Sequence, residues 1–152
     1  LVESEIIPNL NEPCAIEDPS WIKPGISAWD HWWSGRVKMN TKTIKEYIDL
    51  ASEMGWPYQL IYWQWYGQYN LPDADITTVN DSVNMPEVLE YARKKNVGCW
   101  LWLYYADVDR ADFEKACALY KIWRISGENF FKNNINFIDS LMNIYRKQTF
   151  KR

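Results

Sequence analysis

Apolar positions along this 152-residue chain switch between two rhythms. Three short runs dense in aromatic and aliphatic residues suit strands: "ISAWDHWW" (26–33), "PYQLIYW" (57–63) and "VGCWLWLY" (97–104). Between them the period lengthens. Ile44, Tyr47, Ile48 and Ala51 fall at i, i+3, i+4 and i+7, which predicts a helix from about Thr41 to Met54, with Gly55 placed to stop it. Asn84, Pro86 and Glu87 form a capping-box start for a second helix, running to about Lys95. Asp109 is the expected cap of a third, whose Phe113, Ala116, Cys117 and Tyr120 make one apolar face.

The order is therefore β-α-β-α-β-α, with strand centres about 30 to 40 residues apart. Parallel strands joined by crossover helices have this spacing. A doubly wound sheet usually carries a glycine-rich phosphate turn after its first strand. Here six glycines are scattered and no G-x-G-x-x-G occurs. The expected class is α/β, a partial (β/α)8 TIM-type barrel of about the first three to four β/α units. A full barrel takes about 250 residues, so at most half of one fits. Half a barrel exposes an inner face and two strand edges, and so implies self-association through those edges or a piece of something larger. Residues 1–25 hold four of the seven prolines and no helical period, and read as an extended linker.

Composition narrows the functional classes. Ten Trp and ten Tyr stand beside five Phe, an excess of rings that carry a polar handle. A net charge of −3 argues against a surface that tracks phosphates, so no nucleic-acid partner is expected. Cys14, Cys99 and Cys117 contain no C-x-x-C, and with the single His31 they assemble no zinc site by spacing. No apolar run approaches the ~20 residues of a membrane span. The chain begins at Leu1 without a signal peptide in front.

Ligands of β/α barrels sit at the C-terminal ends of the strands. Those ends supply Asp30, His31, Trp32 and Trp33, then Trp63, Gln64, Trp65 and Tyr66, then Tyr104, Asp107 and Asp109. Indoles interleaved with carboxylates suit a sugar: ring faces stack on pyranose C–H groups while carboxylates take hydroxyls. Plainer readings compete, with Asp109 a helix cap, Asp107 a turn residue and His31 a packed ring. Asp30, lodged between Trp29 and His31, is the least easily explained that way.

The motifs "SWIKPGISAWDHWWSG", "EMGWPYQLIYWQWYG", "PDADIT", "NMPEVLEYARKKNVGCWLWLYYADVDR" and "YKIW" together resemble glycoside hydrolase family 97. The likeness runs colinearly over about residues 1–125. It implies an α-glucosidase or α-galactosidase built from an N-terminal β-sandwich, a catalytic (β/α)8 barrel and a small C-terminal β-domain. By it, residues 1–25 are the link from the sandwich and residues 26–152 the first half of the barrel. It also implies an α-linked oligosaccharide as partner, a periplasmic location, and calcium in the full-length family though no cofactor in this chain. Asp30, Trp32, Trp63, Trp65, Trp102 and Asp107 are the expected substrate contacts.

Two departures bear on activity. The family commonly reads "LIDWQWY" where this chain has "LIYWQWY", so Tyr62 stands at an acidic position. The fourth strand of retaining members carries an Asp nucleophile. Counting from Trp123 puts Phe131 there, and aligning on "NINFID" puts Asn136 there. Neither can form a glycosyl ester. "ENFFKNN" also lacks the apolar continuity of a buried parallel strand. The expectation is a family 97 fragment, catalytically incomplete by itself. The alternatives are a non-catalytic carbohydrate-binding remnant using Trp63, Trp65 and Trp102, or a functionless product of a damaged reading frame.

Overall fold

A computed structural model describes residues 23–30 and 37–131. Four strands and four helices follow in order: β1 (Ser27–Trp29), α1 (Thr41–Glu53), β2 (Tyr58–Ile61), α2 (Met85–Lys94), β3 (Gly98–Tyr104), α3 (Tyr105–Arg110), α4 (Phe113–Trp123) and β4 (Gly127–Phe131). The strands form one parallel sheet in the order β1-β2-β3-β4, so spatial order equals chain order. The fold is α/β, as the spacing of the apolar runs predicts. The linker assigned to residues 1–25 lies, up to residue 22, outside the described residues, as do Trp32 and Asn136.

Two expectations fail. Residues 127–131 do form a strand despite their polar text, with Trp100 in register with Gly127 and Tyr104 with Phe131. Backbone pairing with β3 extends the sheet without a continuous apolar run. Asp109 is not a helix cap either, because it lies within α3. The cap of α4 is Asp112, whose side chain accepts the Lys115 amide at 3.1 Å. The cap of α2 is as predicted, Asn84 accepting from Glu87 N at 3.3 Å, and α1 is capped by Asn40, which accepts from Thr43 N at 3.0 Å.

Three helices end alike. Gly55, Asn96 and Arg124 take left-handed backbone, with φ of 67°, 63° and 57°. The next amide then reaches back five residues: Trp56 N to Ala51 O at 2.8 Å, Val97 N to Ala92 O at 3.0 Å, and Ile125 N to Tyr120 O at 3.1 Å. This Schellman geometry satisfies the last carbonyls and turns the chain toward the sheet. The second and third joints are then tied to the preceding strand unit, Gly98 N to Pro57 O at 2.8 Å and Ser126 N to Cys99 O at 2.7 Å.

Strand alternation divides the sheet into two chemically different faces. Ala28, Gln59, Ile61, Cys99, Leu101 and Leu103 share one face and are all buried. Ile44, Ile48 and Ala51 of α1, and Val88, Leu89 and Ala92 of α2, supply the apolar stripes of the same core. The other face carries Trp29, Tyr58, Leu60, Trp100, Trp102 and Tyr104, of which Trp29, Tyr58, Trp100 and Tyr104 are half-buried. On the outer surface α1 and α2 are joined by Lys45 with Glu87 and by Lys95 with Asp49. These pairs are partly exposed and each contributes little.

Candidate functional site

The aromatic face is densest where β2 and β3 end. Tyr62 lies edge-on to Trp29, with centroids 5.0 Å apart, and tilts against Trp102 at the same distance. Tyr69, from the loop after β2, meets Trp102 at 5.2 Å and Tyr104 at 5.0 Å. Trp63 stands edge-on to Tyr69 at 5.9 Å, and Tyr105 tilts against Tyr104 at 4.9 Å. Seven rings therefore make one continuous array at the C-terminal edge of the sheet. Edge-to-face pairs add about 0.5–1.5 kcal/mol each beyond burial, so the array is stiff as well as apolar. Among the described residues the Trp102 indole nitrogen is buried without a hydrogen-bond partner. An ordered water or a ligand hydroxyl would satisfy it.

The loop that presents Trp63 and Tyr69 is pinned from several sides. Gln64 and Asn70 have φ of 57° and 60°, and Gly67 has 99°. Asn80 N donates to Trp65 O at 2.8 Å, and Tyr120 Oη donates to Ile76 O at 2.6 Å. Thr41 N reaches Ser82 O at 3.1 Å, and Asn84 N reaches Thr41 Oγ1 at 2.7 Å, which closes the loop onto the start of α1.

The expected contacts separate into two groups. Trp63 is half-buried, at the edge of the array. Trp65 and Asp107, expected at the substrate, have no exposed surface. The Trp65 indole donates to Trp102 O at 2.7 Å and its ring packs edge-on to Tyr66, Tyr120 and Trp123. Asp107 accepts from Tyr66 Oη at 2.7 Å and from Asn70 N at 3.0 Å to each oxygen, and pairs with Arg110. Both are buried and held by protein partners. Asp107 also lies inside α3, which corrects its turn reading. Trp102 is 5% exposed and forms the floor of the array.

Asp30 is buried too, in the turn after β1, and accepts from Tyr62 N at 3.2 Å and, at a long 3.4 Å, from Gln59 Nε2. Burial raises its pKa to about 7, against the lowering effect of the amide bonds from Tyr62 and Asp30 itself. Burial likewise raises the Tyr66 phenol, reinforced by its bond to Asp107. Tyr62, which reads in sequence as an ordinary strand residue, Tyr69, which sits in a polar loop, and Tyr105 are among the members of the array that the strand-end reading passed over. Neither spacing nor composition marks Tyr69; its place comes from the loop's path. Phe131 ends β4 level with Tyr104, so one of the two candidate nucleophile positions is a strand end without a carboxylate. Among the described residues no group of three His, Cys, Asp or Glu could share a metal ion.

Four parallel strands with crossover helices, ending in an aromatic array, define an α/β scaffold of the kind that carries sites at strand ends. The glycoside hydrolase 97 family model matches residues 21–147, and the chain belongs to that family. The chain is 36% identical over 138 residues to a retaining alpha-galactosidase of Bacteroides thetaiotaomicron, covering 86% of this chain and 19% of that protein. Among solved structures it is similar to a family 97 enzyme from Pseudoalteromonas sp. strain K8 in complex with acarbose. That match has a TM-score of 0.68 and 26% identity, and covers 84% of this chain and 22% of the other. A variant of that enzyme in complex with panose matches equally. The chain thus spans about a fifth of the length of the curated relatives it matches.

Proposed function

We propose that these residues form the opening β/α units of a family 97 (β/α)8 catalytic barrel, and that their strand-end aromatic array is one wall of a subsite for α-linked sugars. The observation that carries the reading is the run Tyr62–Trp102–Tyr69–Tyr104, flanked by Trp63, at the C-terminal ends of β2 and β3. Pyranose C–H faces stack on such rings, and a preformed array avoids the cost of ordering loose side chains on binding. An α-galactoside is the favoured ligand, by likeness to the Bacteroides enzyme; acarbose and panose are ligands of the Pseudoalteromonas one.

Hydrolysis is a separate matter. It requires two carboxylates about 5 to 9.5 Å apart across the scissile bond. Asp30 and Asp107 are buried with their oxygens engaged by protein donors, and Asp109 lies on the outside of α3. The role proposed for this chain is binding and orientation, with the carboxylate chemistry belonging to other parts of a barrel.

The test pairs two assays on the 152-residue chain. Tryptophan fluorescence titrated with melibiose and panose should saturate, while release of nitrophenol from 4-nitrophenyl α-galactoside should stay at the buffer rate. A flat fluorescence response to both sugars would count against the subsite, and turnover above buffer would overturn the division of roles.

A further inference from the structure

Asp107 does more in this structure than close a turn. Its carboxylate has no exposed surface, yet it is not simply neutralised by Arg110. Both oxygens take the Asn70 amide at 3.0 Å, one takes the Tyr66 phenol at 2.7 Å, and Arg110 also donates to Leu71 O at 3.0 Å. The Tyr66 oxygen in turn accepts the Tyr104 amide at 3.2 Å. The carboxylate thus ties residues 66 and 70 of the loop, and its partner Arg110 ties residue 71, to the end of β3. Between those anchors lies Tyr69, whose ring covers Trp102 and Tyr104 and borders Trp63.

The loop backbone needs such a hold. Left-handed Gln64 and Asn70 each cost about 1 kcal/mol or more and persist where surroundings over-determine them. A buried carboxylate with several donors gives fixed geometry, whereas an apolar residue of equal size would give cohesion without direction.

We infer that Asp107 is the positioning residue of the aromatic site, holding the segment Tyr66–Leu71 so that Tyr69 and Trp63 present one preformed surface to a pyranose ring. It touches no ligand and acts through Tyr69. The inference rests on the sugar-subsite reading for its purpose, and on Asp107 geometry for its substance, so the two are tested by different readouts.

The experiment compares the native chain with Tyr69→Leu, Tyr69→Phe, Asp107→Asn and Tyr66→Phe. Near-ultraviolet circular dichroism reads the ring array without sugar, and far-ultraviolet dichroism reads the fold. Tyr69→Leu should remove a near-ultraviolet band that Tyr69→Phe largely keeps. Asp107→Asn should remove the same band with the far-ultraviolet spectrum intact, and weaken the fluorescence response to melibiose roughly tenfold, as expected for one lost charged hydrogen bond. A band unchanged in Asp107→Asn overturns the inference, as does the absence of any Tyr69-dependent band. If Asp107→Asn fails to fold, Tyr66→Phe is decisive: loss of the band supports positioning and its retention overturns it. A band lost in Asp107→Asn, with a native chain that ignores both melibiose and panose, leaves the positioning role standing and sinks the sugar reading. A band lost with melibiose affinity unchanged overturns the link between this positioning and the site.

Discussion

The Asp30 carboxylate accepts the amide of Tyr62 at 3.2 Å, joining the ends of β1 and β2 from a position 1% exposed. Together with the bond from Asn70 N to Asp107, it brackets the segment 62–70, so a buried carboxylate stands at either end of the aromatic loop. The two are held differently. Asp107 has a guanidinium beside it, whereas the donors to Asp30 are uncharged: the Tyr62 amide, its own amide and the distant Gln59 amide.

That difference predicts a pH dependence. Asp30 titrates near 3.8 when unfolded and at about 7 when folded, because burial disfavours its charge. Between those values the folded state keeps a proton that the unfolded state releases. Stability from this group is therefore greatest below 3.8, falls as pH rises through the window by at most about 1.4 kcal/mol per unit, and is lost above 7. Asp30→Asn keeps an acceptor for the Tyr62 amide and carries no charge. Urea unfolding should show the variant matching the native chain at about pH 4 and exceeding it at about pH 8. A difference that does not grow with pH would refute the assignment.

The two tryptophans of "WQWY" should behave oppositely. Trp65→Phe removes the donor to Trp102 O and leaves a gap beneath Tyr120 and Trp123. A loss of about 2–4 kcal/mol in denaturant unfolding is expected. Trp63→Ala, at a half-buried position on the edge of the array, should cost less, about 1–2 kcal/mol, and instead abolish most of the fluorescence response to sugar. Equal stability losses in the two variants would contradict the division into core and edge.

The helix ends offer a cleaner backbone test. Gly55→Ala places a Cβ in open space, so its cost is conformational, about 1 kcal/mol. Arg124→Gly relaxes a left-handed residue on an exposed position and should raise stability by about 0.5–1 kcal/mol. Thermal melts of the two variants should move in opposite directions. A shift of both the same way would show that the joints are held by something other than local backbone preference.

Much of the scaffold was legible from periodicity. The stripes Ile44–Ile48–Ala51 and Val88–Leu89–Ala92 repeat at helical spacing and end in left-handed residues, so α1 and α2 match their predicted spans closely. The region after β3 was harder. Asp107, Asp109 and Asp112 are all plausible caps within six residues, and sequence spacing cannot tell which one is turned inward. The site was legible as a collection of rings and not as a surface. Trp63 and Trp65 look equivalent in the text, and one lies half-buried at the edge of the array while the other is core. Tyr69 depends on three left-handed residues and on Asp107, contacts 37 residues apart that no local pattern encodes. β4 was misjudged because backbone pairing to β3 does not require each residue to be apolar.

A sheet whose spatial order is its chain order carries an instruction about time. β2 pairs with a strand already made, β3 with β2, and β4 with β3. During synthesis each new strand can dock on a partner that has left the ribosome first, with nothing downstream needed to begin. Each helix ending that turns the chain back toward the sheet is then a repeated assembly step. The aromatic array follows in the same order, because Tyr62 and Tyr69 emerge before the Trp102 and Tyr104 on which they close.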